Sequence, residues 1–277
     1  DAKAVERSER CPQPITWFAT RAELPFVARH LAAGGAACFA DEAALWWHAD
    51  GIRLQVLPLA EIPISLGGAA RFNVANAAAA VGVAQALGLP LEAIRAGLRG
   101  FHSDAEANPG RLNAFDFGGV KILVDFAHNP HGQQALYDTA CALPAKRRLV
   151  TIGHAGDRTD EDIREVALTA FHAGMTRILI KEQEKQLRGR EHGVIPGIMR
   201  EALREAGCPD ERIGMHASEL DALHAALEWA RPGDLLLILA LAQREEVLAY
   251  LTALRGAGWL PGRPVPTAES FTLPSAR

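Results

Sequence analysis

The stretch V-D-F-A-H-N-P-H-G, residues 124–132, places an acid, two histidines and an asparagine at the end of an apolar run. Such side chains can accept hydrogen bonds from a substrate or exchange protons with it. Two other polar segments, residues 153–162 and 181–193, also directly follow short apolar runs. Because ligands of parallel sheets bind beyond the carboxyl ends of the strands, the three segments together predict one site.

Each segment taken alone also has a purely structural interpretation. Asp125 and Asp160 are residue types that cap helix N-termini, and the charged segment 181–193 is typical of a solvated turn. These alternatives stay open for each segment considered separately. The occurrence of all three on one rim of a sheet favours a site.

Common catalytic and metal-binding motifs are absent from the sequence. His128 and His131 are three residues apart, but Pro130 prevents a regular helix between them, and no third ligand follows at metal spacing. We therefore predict no metal site. The sequence also has no G-x-S-x-G elbow, no G-x-G-x-x-G fingerprint and no G-x-x-x-x-G-K-[ST] phosphate loop.

The second part of the chain alternates short apolar strands with amphipathic helices, which predicts an α/β fold. We expect a Rossmann-like, mostly parallel sheet with helices on both faces, introduced by a hairpin around Gly118-Gly119. The predicted strands are 149–153, 177–181, 213–216 and 234–240. One predicted helix begins near Gly132, and four others span 160–173, 194–206, 218–230 and 244–254.

The first part of the chain has a different pattern. It predicts a strand at 15–18, a helix at 23–33, a hairpin closed by A-D-G at 49–51, and two successive helices from Arg71 to Gly100. The polar, turn-prone segment near Ala105 marks a domain boundary. We expect domains at 1–105 and 106–257, and an irregular proline-rich tail at 258–277.

Composition limits the class of protein. The chain has 277 residues, is 49% hydrophobic and carries a formal net charge of −4, which disfavours a nucleic-acid-binding surface. No apolar run is long enough to span a membrane and no secretory signal is present. The four cysteines are scattered without a C-x-x-C pair. We expect a cytoplasmic protein, and the absence of an initiating Met suggests a fragment of a longer one.

Four segments resemble the Mur ligase family, in the version found in cyanophycin synthetases. N-P-G-R-L-N-A-F-D-F-G-G-V-K-I-L-V-D-F-A-H-N-P resembles the start of the C-terminal domain of these ligases, and R-F-N-V-A-N-A-A-A-A resembles the helix that closes their central ATPase domain. G-D-R-T-D-E-D-I-R and L-R-G-R-E-H-G resemble two loops of the synthetases. The segments lie at 108–130, 71–80, 156–164 and 187–193.

The resemblance implies a fold and an activity. The chain would be a Mur ligase C-terminal domain preceded by the closing portion of the α/β central domain. Its relatives form amide bonds by phosphorylating a carboxylate with ATP and Mg²⁺, after which an amine attacks the acyl phosphate. In cyanophycin synthetases the amine is arginine and the acceptor is an aspartate side chain of a peptide.

The resemblance also assigns roles to individual residues. His128 and Asn129 would face the acyl intermediate. The expected nucleotide contacts are Asn73, Asn76, Arg111 and Asp125. The expected contacts of the incoming amino acid are Asp157, Arg158, Arg188 and Arg190.

The family's phosphate loop and magnesium ligands are missing from this sequence. We therefore expect partner domains upstream in the same parent protein, an ATPase lobe and an ATP-grasp domain, and predict that these residues alone do not hydrolyse ATP. Assembly into a homo-oligomer stays open. The alternative hypothesis is a non-catalytic Mur-like remnant that serves as a structural or oligomerisation module. A generic dinucleotide-binding domain is disfavoured because no glycine fingerprint is present.

Overall fold

The computed structural model describes residues 2–271, and the chain divides into two compact units between His102 and Ser103. The strands are β1 Thr16–Ala19, β2 Ala36–Ala40, β3 Ala44–Ala49, β4 Ile52–Pro58, β5 Asn113–Phe117, β6 Val120–Asp125, β7 Arg148–Ile152, β8 Arg177–Lys181, β9 Ile213–His216 and β10 Leu235–Leu239. The α-helices are α1 Ala2–Ser8, α2 Pro25–Ala32, α3 Arg71–Ala86, α4 Leu91–Gly100, α5 Pro130–Ala142, α6 Asp160–His172, α7 Val194–Glu205, α8 Glu219–Trp229 and α9 Arg244–Gly256.

The first unit contains a four-stranded sheet in the order β1-β2-β3-β4. β1 runs parallel to β2, and β2, β3 and β4 are successively antiparallel. Asp50 and Gly51 both have positive φ, 51° and 73°, which is the backbone that a two-residue hairpin turn requires. The predicted first strand, hairpin and helices are confirmed. Strand β2 was not predicted, because its sequence A-A-C-F-A has no alternation.

The second unit is built on a six-stranded sheet in the order β5-β6-β10-β7-β8-β9. β5 pairs antiparallel with β6, and all other neighbouring strands are parallel. All five residues of β10 are buried, as expected for a central strand covered on both sides. The predicted mostly parallel α/β fold is confirmed.

Strand order determines which face each helix covers. The chain moves in one direction across the sheet from β6 through β7 and β8 to β9, and then returns to β10. Because parallel crossovers are right-handed, α5, α6 and α7 lie on one face and α8 lies on the other. The packing of α5 on α6, α6 on α7 and α8 on α9 agrees with this arrangement.

Asn113 explains why the second unit begins at Ser103. The side chain of this fully buried residue donates to the carbonyl oxygens of Ser103 (3.0 Å), Asp104 (2.8 Å) and Asn108 (2.9 Å). Its Oδ1 accepts the Gly110 amide at 2.6 Å. One amide side chain thus holds the preceding segment against β5. The observed boundary between the two units therefore lies three residues before the predicted one at 105/106.

The proline-rich segment after α9 is packed although it is mostly irregular. Trp259 is 5% exposed and its Nε1 donates to Pro264 O at 3.2 Å. The Tyr250 hydroxyl donates to Pro266 O, and residues 268–270 form a short 3₁₀ turn. Residues 272–277 of the predicted tail lie outside the described part of the chain.

Candidate active site at the strand ends of the second unit

A cavity of about 170 Å³ lies at the carboxyl ends of β6, β7, β8 and β10. We call it the strand-end cavity. Residues 125–132, 153–162 and 181–193, here the first, second and third loops, all contribute to its wall, together with one residue that follows β10. The lining residues are Phe126, His128, His154, Ala155, Arg158, Gln183, Gln186 and Leu241. The three loops singled out from the sequence are therefore brought together.

Asp125 ends β6 and is only 7% exposed. Its Oδ2 accepts the Leu112 amide at 2.9 Å and its Oδ1 accepts the Ala127 amide at 2.8 Å. Burial raises its pKa, and the two backbone donors and the nearby charge of Arg111 only partly oppose the rise. Leu112 has φ of +54°, so the carboxylate holds a residue in an unfavourable backbone conformation.

The two predicted catalytic residues, His128 and Asn129, are neighbours in the first loop but differ in what they contact. His128 lies on the cavity wall, with Nδ1 3.2 Å from Phe126 O and its ring 5.3 Å from the Phe126 ring. Asn129 instead caps α5, because its Oδ1 accepts the Gly132 amide at 2.8 Å. His128 therefore faces the cavity, whereas Asn129 orients the helix that begins beside it.

His154 was not predicted, although it lies inside the second loop. It is 7% exposed and lines the cavity. Its Nδ1 accepts the Ala155 amide at 2.9 Å, so the neutral ring carries its proton on Nε2. Burial, followed by the positive charge of Arg158, lowers its pKa below the ordinary value. His154 thus presents a neutral N–H donor near pH 7.

Arg190 connects the second and third loops. Its guanidinium donates to Gly156 O (2.9 Å), Arg158 O (2.7 Å) and Asp160 Oδ1 (2.6 Å). The Gly156 amide in turn donates to Gln186 O at 2.8 Å. Arg190 therefore positions the loops, and Asp160 pairs with it instead of capping α6.

The remaining predicted charges of these loops are exposed. Arg158 lines the cavity and its Nε lies 3.9 Å from Asp157 Oδ1. Arg188 donates to Gln186 Oε1 at 2.9 Å and has φ of +49°. Arg158 and Gln186 form part of the cavity wall, whereas Asp157 and Arg188 stand beside it. The cap of α6 is Thr159, in a capping box with Asp162.

Two buried polar residues near the start of the third loop, Glu182 and Gln183, were not predicted. Gln183 is 3% exposed and lines the cavity, and its Nε2 has no hydrogen-bond partner within residues 2–271. Glu182 accepts the Gly193 amide at 2.6 Å through Oε2. A Cβ atom at Gly153 would lie 3.0 Å from Gln183 Nε2, so the glycine makes room for this amide.

A buried ion pair between Lys181 and Glu219 lies next to the loops that form the cavity. The Lys181 ammonium donates to Glu219 and to Leu239 O, and both charged side chains are nearly inaccessible. Glu219 also accepts the amides of Leu241 (2.9 Å) and Gln243 (2.8 Å). The pair therefore fixes the connection between β10 and α9, a fourth loop that the same strand-end rule would have identified.

Arg111 lies over the Phe126 ring, with Cζ 5.5 Å from the ring centroid. It is exposed, and the aromatic contact places its charge next to the strand-end cavity. Arg244, at the start of α9, lies at the same 5.5 Å from this ring. Phe126 therefore interacts with two guanidinium groups.

Asn73 and Asn76 lie on α3 of the first unit. Asn73 Nδ2 donates to Ile64 O at 2.9 Å, and Asn76 Nδ2 donates to Asn73 Oδ1 at 3.2 Å. The two amides thus contact each other, and Asn76 is the exposed member of the pair. Asn73 fixes the orientation of Asn76.

Two absences apply to the part of the chain that the structure describes. No group of three or more His, Cys, Asp or Glu side chains there could hold a metal ion. No helix of residues 2–271 combines the length and apolarity of a membrane span.

Comparison with known proteins agrees with this architecture. The family described as "Mur ligase, glutamate ligase domain" matches residues 110–240. A cyanophycin synthetase of Nostoc sp. is 30% identical over 245 residues, which is 86% of this chain and 26% of that protein. A UDP-N-acetylmuramoyl-L-alanyl-D-glutamate–2,6-diaminopimelate ligase of Geobacter metallireducens is 32% identical over 201 residues, covering 68% of this chain and 38% of that protein.

Solved structures give the same fold. E. coli FolC, solved in complex with DHPP and ADP, superposes with a TM-score of 0.60 at 20% identity, covering 91% of this chain and 56% of FolC. The chain spans only about a quarter (26%) of the length of the Nostoc synthetase that it matches. The part of the chain that matches the glutamate ligase domain of the Mur ligase family is residues 110–240, which hold all six strands of the second sheet.

Proposed function

We propose that the chain is part of an ATP-dependent amide ligase of the cyanophycin synthetase type. In the proposed reaction a carboxylate oxygen attacks the γ-phosphorus of ATP, so that ADP leaves and an acyl phosphate forms. The amine of an amino acid then attacks the acyl carbon, phosphate leaves and the nitrogen loses a proton. The observation that carries the proposal is the convergence of the family's loops on one cavity at the strand ends.

The cavity wall indicates which end of the amino acid enters it. None of the described residues that line it is Asp or Glu, whereas Arg158, Gln183 and neutral His154 can all donate hydrogen bonds. A buried donor without a partner is unfavourable by about 1–3 kcal/mol, so Gln183 Nε2 favours a ligand that supplies an acceptor. We assign the carboxylate of the incoming amino acid to this wall, with Arg158 as its counter-charge.

The other predicted roles follow from accessibility. Asp157 and Arg188 are exposed beside the cavity, where they can meet the ammonium group and the second charge of the substrate. We propose arginine as that substrate and an aspartate side chain as the acceptor, by analogy with the synthetase relatives. We assign His128, on the cavity wall, to the acyl centre. Asn129 orients the helix beside His128, and Arg190 positions the second and third loops.

The nucleotide roles also remain proposals. Asp125 has both carboxylate oxygens on backbone amides, so we propose that it shapes the nucleotide-binding edge and offers only its remaining lone pairs to a ribose. Asn76 is the amide available for a base, oriented by Asn73. Because no group of three or more His, Cys, Asp or Glu side chains among residues 2–271 could hold a metal ion, we propose that Mg²⁺ is bound mainly by residues of the parent protein outside this chain. We assign the phosphate loop and most contacts with the triphosphate to ATPase and ATP-grasp domains of the parent protein.

The test uses the encoded protein together with any sequence that flanks these residues. Amide formation is measured by mass spectrometry with an aspartate-containing peptide, ATP and a panel of arginine, lysine and glutamate. Arg158→Gln and Gln183→Leu should each raise the KM for the amino acid about tenfold, because each removes a donor to its carboxylate. The matched control is Arg204→Gln. Arg204 lies on the surface of α7, away from the cavity lining, and its guanidinium pairs with Asp210.

Two results would contradict the proposal. Absence of ATP-dependent amide formation with every amino acid of the panel would favour the non-catalytic structural module. Equal effects of the cavity variants and the Arg204 control would remove the amino acid from the strand-end cavity.

A further inference from the structure

Arg244 has no role in the assignments above, and its stem is held in place. It is the first residue of α9. Gly110, with φ of +71°, packs against the Arg244 methylene groups: a Cβ atom there would lie 3.1 Å from Arg244 Cγ and closer still to Cδ. The chain direction at Gly110 is fixed by its hydrogen bond to Asn113. Arg244 is therefore anchored at its stem.

The charged end of Arg244 is not neutralised. Within residues 2–271 its guanidinium makes no hydrogen bond or ion pair, and its Nε is buried without a partner. The carboxylates of Glu245 and Glu246, which follow it on α9, form no ion pair with it. Its described contact is the Phe126 ring at 5.5 Å.

Arg111 stands in the same relation to Phe126. Its Cζ is also 5.5 Å from the ring, and its guanidinium likewise makes no ion pair among the described residues. Its charge acts on buried Asp125, whose pKa nevertheless stays raised because desolvation dominates. Both arginines thus contact one aromatic ring, and neither forms an ion pair with an acidic side chain of residues 2–271.

Such a pair has a net positive charge and unused donors. Contact with an aromatic face stabilises a guanidinium by only about 0.5–1 kcal/mol at an exposed site, which leaves the fork of N–H donors available. Guanidinium forks match the oxygens of phosphate groups better than an ammonium does. The Phe126 ring that both cations contact also lines the strand-end cavity.

We propose that Arg244 is a further residue that binds the phosphate groups of a nucleoside polyphosphate at the edge of the strand-end cavity, beside Arg111, which the family resemblance already assigns to the nucleotide. The proposal rests on the proposed function in one respect, that ATP is the phosphate donor. It adds a cation that comes from the fourth loop and that no motif assigned. Contact of the Arg244 stem with Gly110 lowers the entropy cost of ordering the side chain on binding.

The experiment titrates inorganic pyrophosphate and ADP into the 277-residue chain at low salt by calorimetry. Arg244→Gln keeps the first two methylene groups next to Gly110 and removes the charge, and it should weaken pyrophosphate binding at least about tenfold. Arg111→Gln should weaken it to a similar extent. Arg255→Gln is the matched control, because Arg255 lies on the same helix and makes the same kind of contact, 5.2 Å from Phe115.

Titration with succinate separates phosphate from carboxylate recognition, and thermal unfolding shows whether each variant is folded. Absence of pyrophosphate binding by the wild-type chain, unchanged affinity in Arg244→Gln, equal losses in Arg255→Gln, or preference for succinate would each overturn the assignment. Amide ligase activity with unchanged pyrophosphate affinity in Arg244→Gln would refute this inference alone. Arg244-dependent binding without ligase activity would refute the proposed function alone.

Discussion

Substitution of Gly156 by alanine tests whether the second and third loops form one positioned unit. A Cβ atom at this residue would lie 2.8 Å from the carbonyl carbon of Leu187, closer still to its oxygen, and 3.3 Å from Ile195 Cδ1. Because the nearest obstacle is backbone, the third loop must move away. That movement also breaks the 2.8 Å hydrogen bond from the Gly156 amide to Gln186 O.

The magnitude follows from these contacts. Overpacking of this kind destabilises by about 1–3 kcal/mol, and loss of one backbone hydrogen bond adds about 1 kcal/mol. We expect Gly156→Ala to lower the free energy of unfolding of the second unit by about 2–4 kcal/mol. In the proposed ligase reaction it should also raise the KM for the amino acid, because Arg158 and Gln186 leave the cavity wall.

The assay is urea unfolding followed by tryptophan fluorescence, with Gly197→Ala as the control. Gly197 lies inside α7 with nothing within 4 Å of its virtual Cβ, so alanine there should be neutral or stabilising by up to about 1 kcal/mol. Equal midpoints for Gly156→Ala and the wild type would falsify the claim that the loops are held in direct contact.

Three further predictions concern buried groups of the second unit. Glu219→Gln should destabilise the protein by about 3–5 kcal/mol in urea unfolding, because it leaves the charge of Lys181 buried without its partner. The control Glu228→Gln, at an exposed residue, should change stability by less than about 1 kcal/mol. Equal effects of the two substitutions would contradict this prediction. The lowered pKa of His154 means that the unfolded chain binds a proton at this side chain more readily than the folded chain. Stability should therefore be highest above the ordinary pKa of 6.5 and fall as the pH drops below it. In His154→Gln the free energy of unfolding should depend less steeply on pH across this range, and an unchanged dependence would count against the assignment. Asp125→Asn should destabilise by about 1–3 kcal/mol in the same unfolding assay, because its NH₂ group replaces one of the two oxygens and cannot accept the backbone hydrogen bond made there. Wild-type stability would show that this bond contributes little.

Periodicity and turn residues in the sequence predicted most of the second unit. Alternating apolar strands and amphipathic helices gave the parallel sheet, and Gly118-Gly119, both with positive φ, marked the β5–β6 hairpin. The position of β10 between β6 and β7 could not be predicted, because all parallel strands of this sheet are short apolar runs. β2 was missed for a related reason: its alanines fit a helix as well as a strand.

The candidate site was predictable as a set of loops but not as a set of contacts. Strand ends indicated the three loops, whereas burial separates residues of similar type within them. Asn129 and Arg190 are polar residues at the predicted positions, yet their polar atoms are engaged within the loops. Gln183 and His154 looked ordinary in the sequence, because nothing local indicates that their side chains are buried.

The insertion of β10 between β6 and β7 has a consequence for folding during synthesis. Residues 120–125 and 148–152 cannot acquire their shared neighbour until Leu235–Leu239 have left the ribosome. Until then the two inner edges stay open, and such unpaired strand edges are prone to association with other chains. The binding edge of the sheet is therefore completed only after most of this unit has been translated, and slower elongation before the codons of Leu235–Leu239 should prolong its dependence on chaperones.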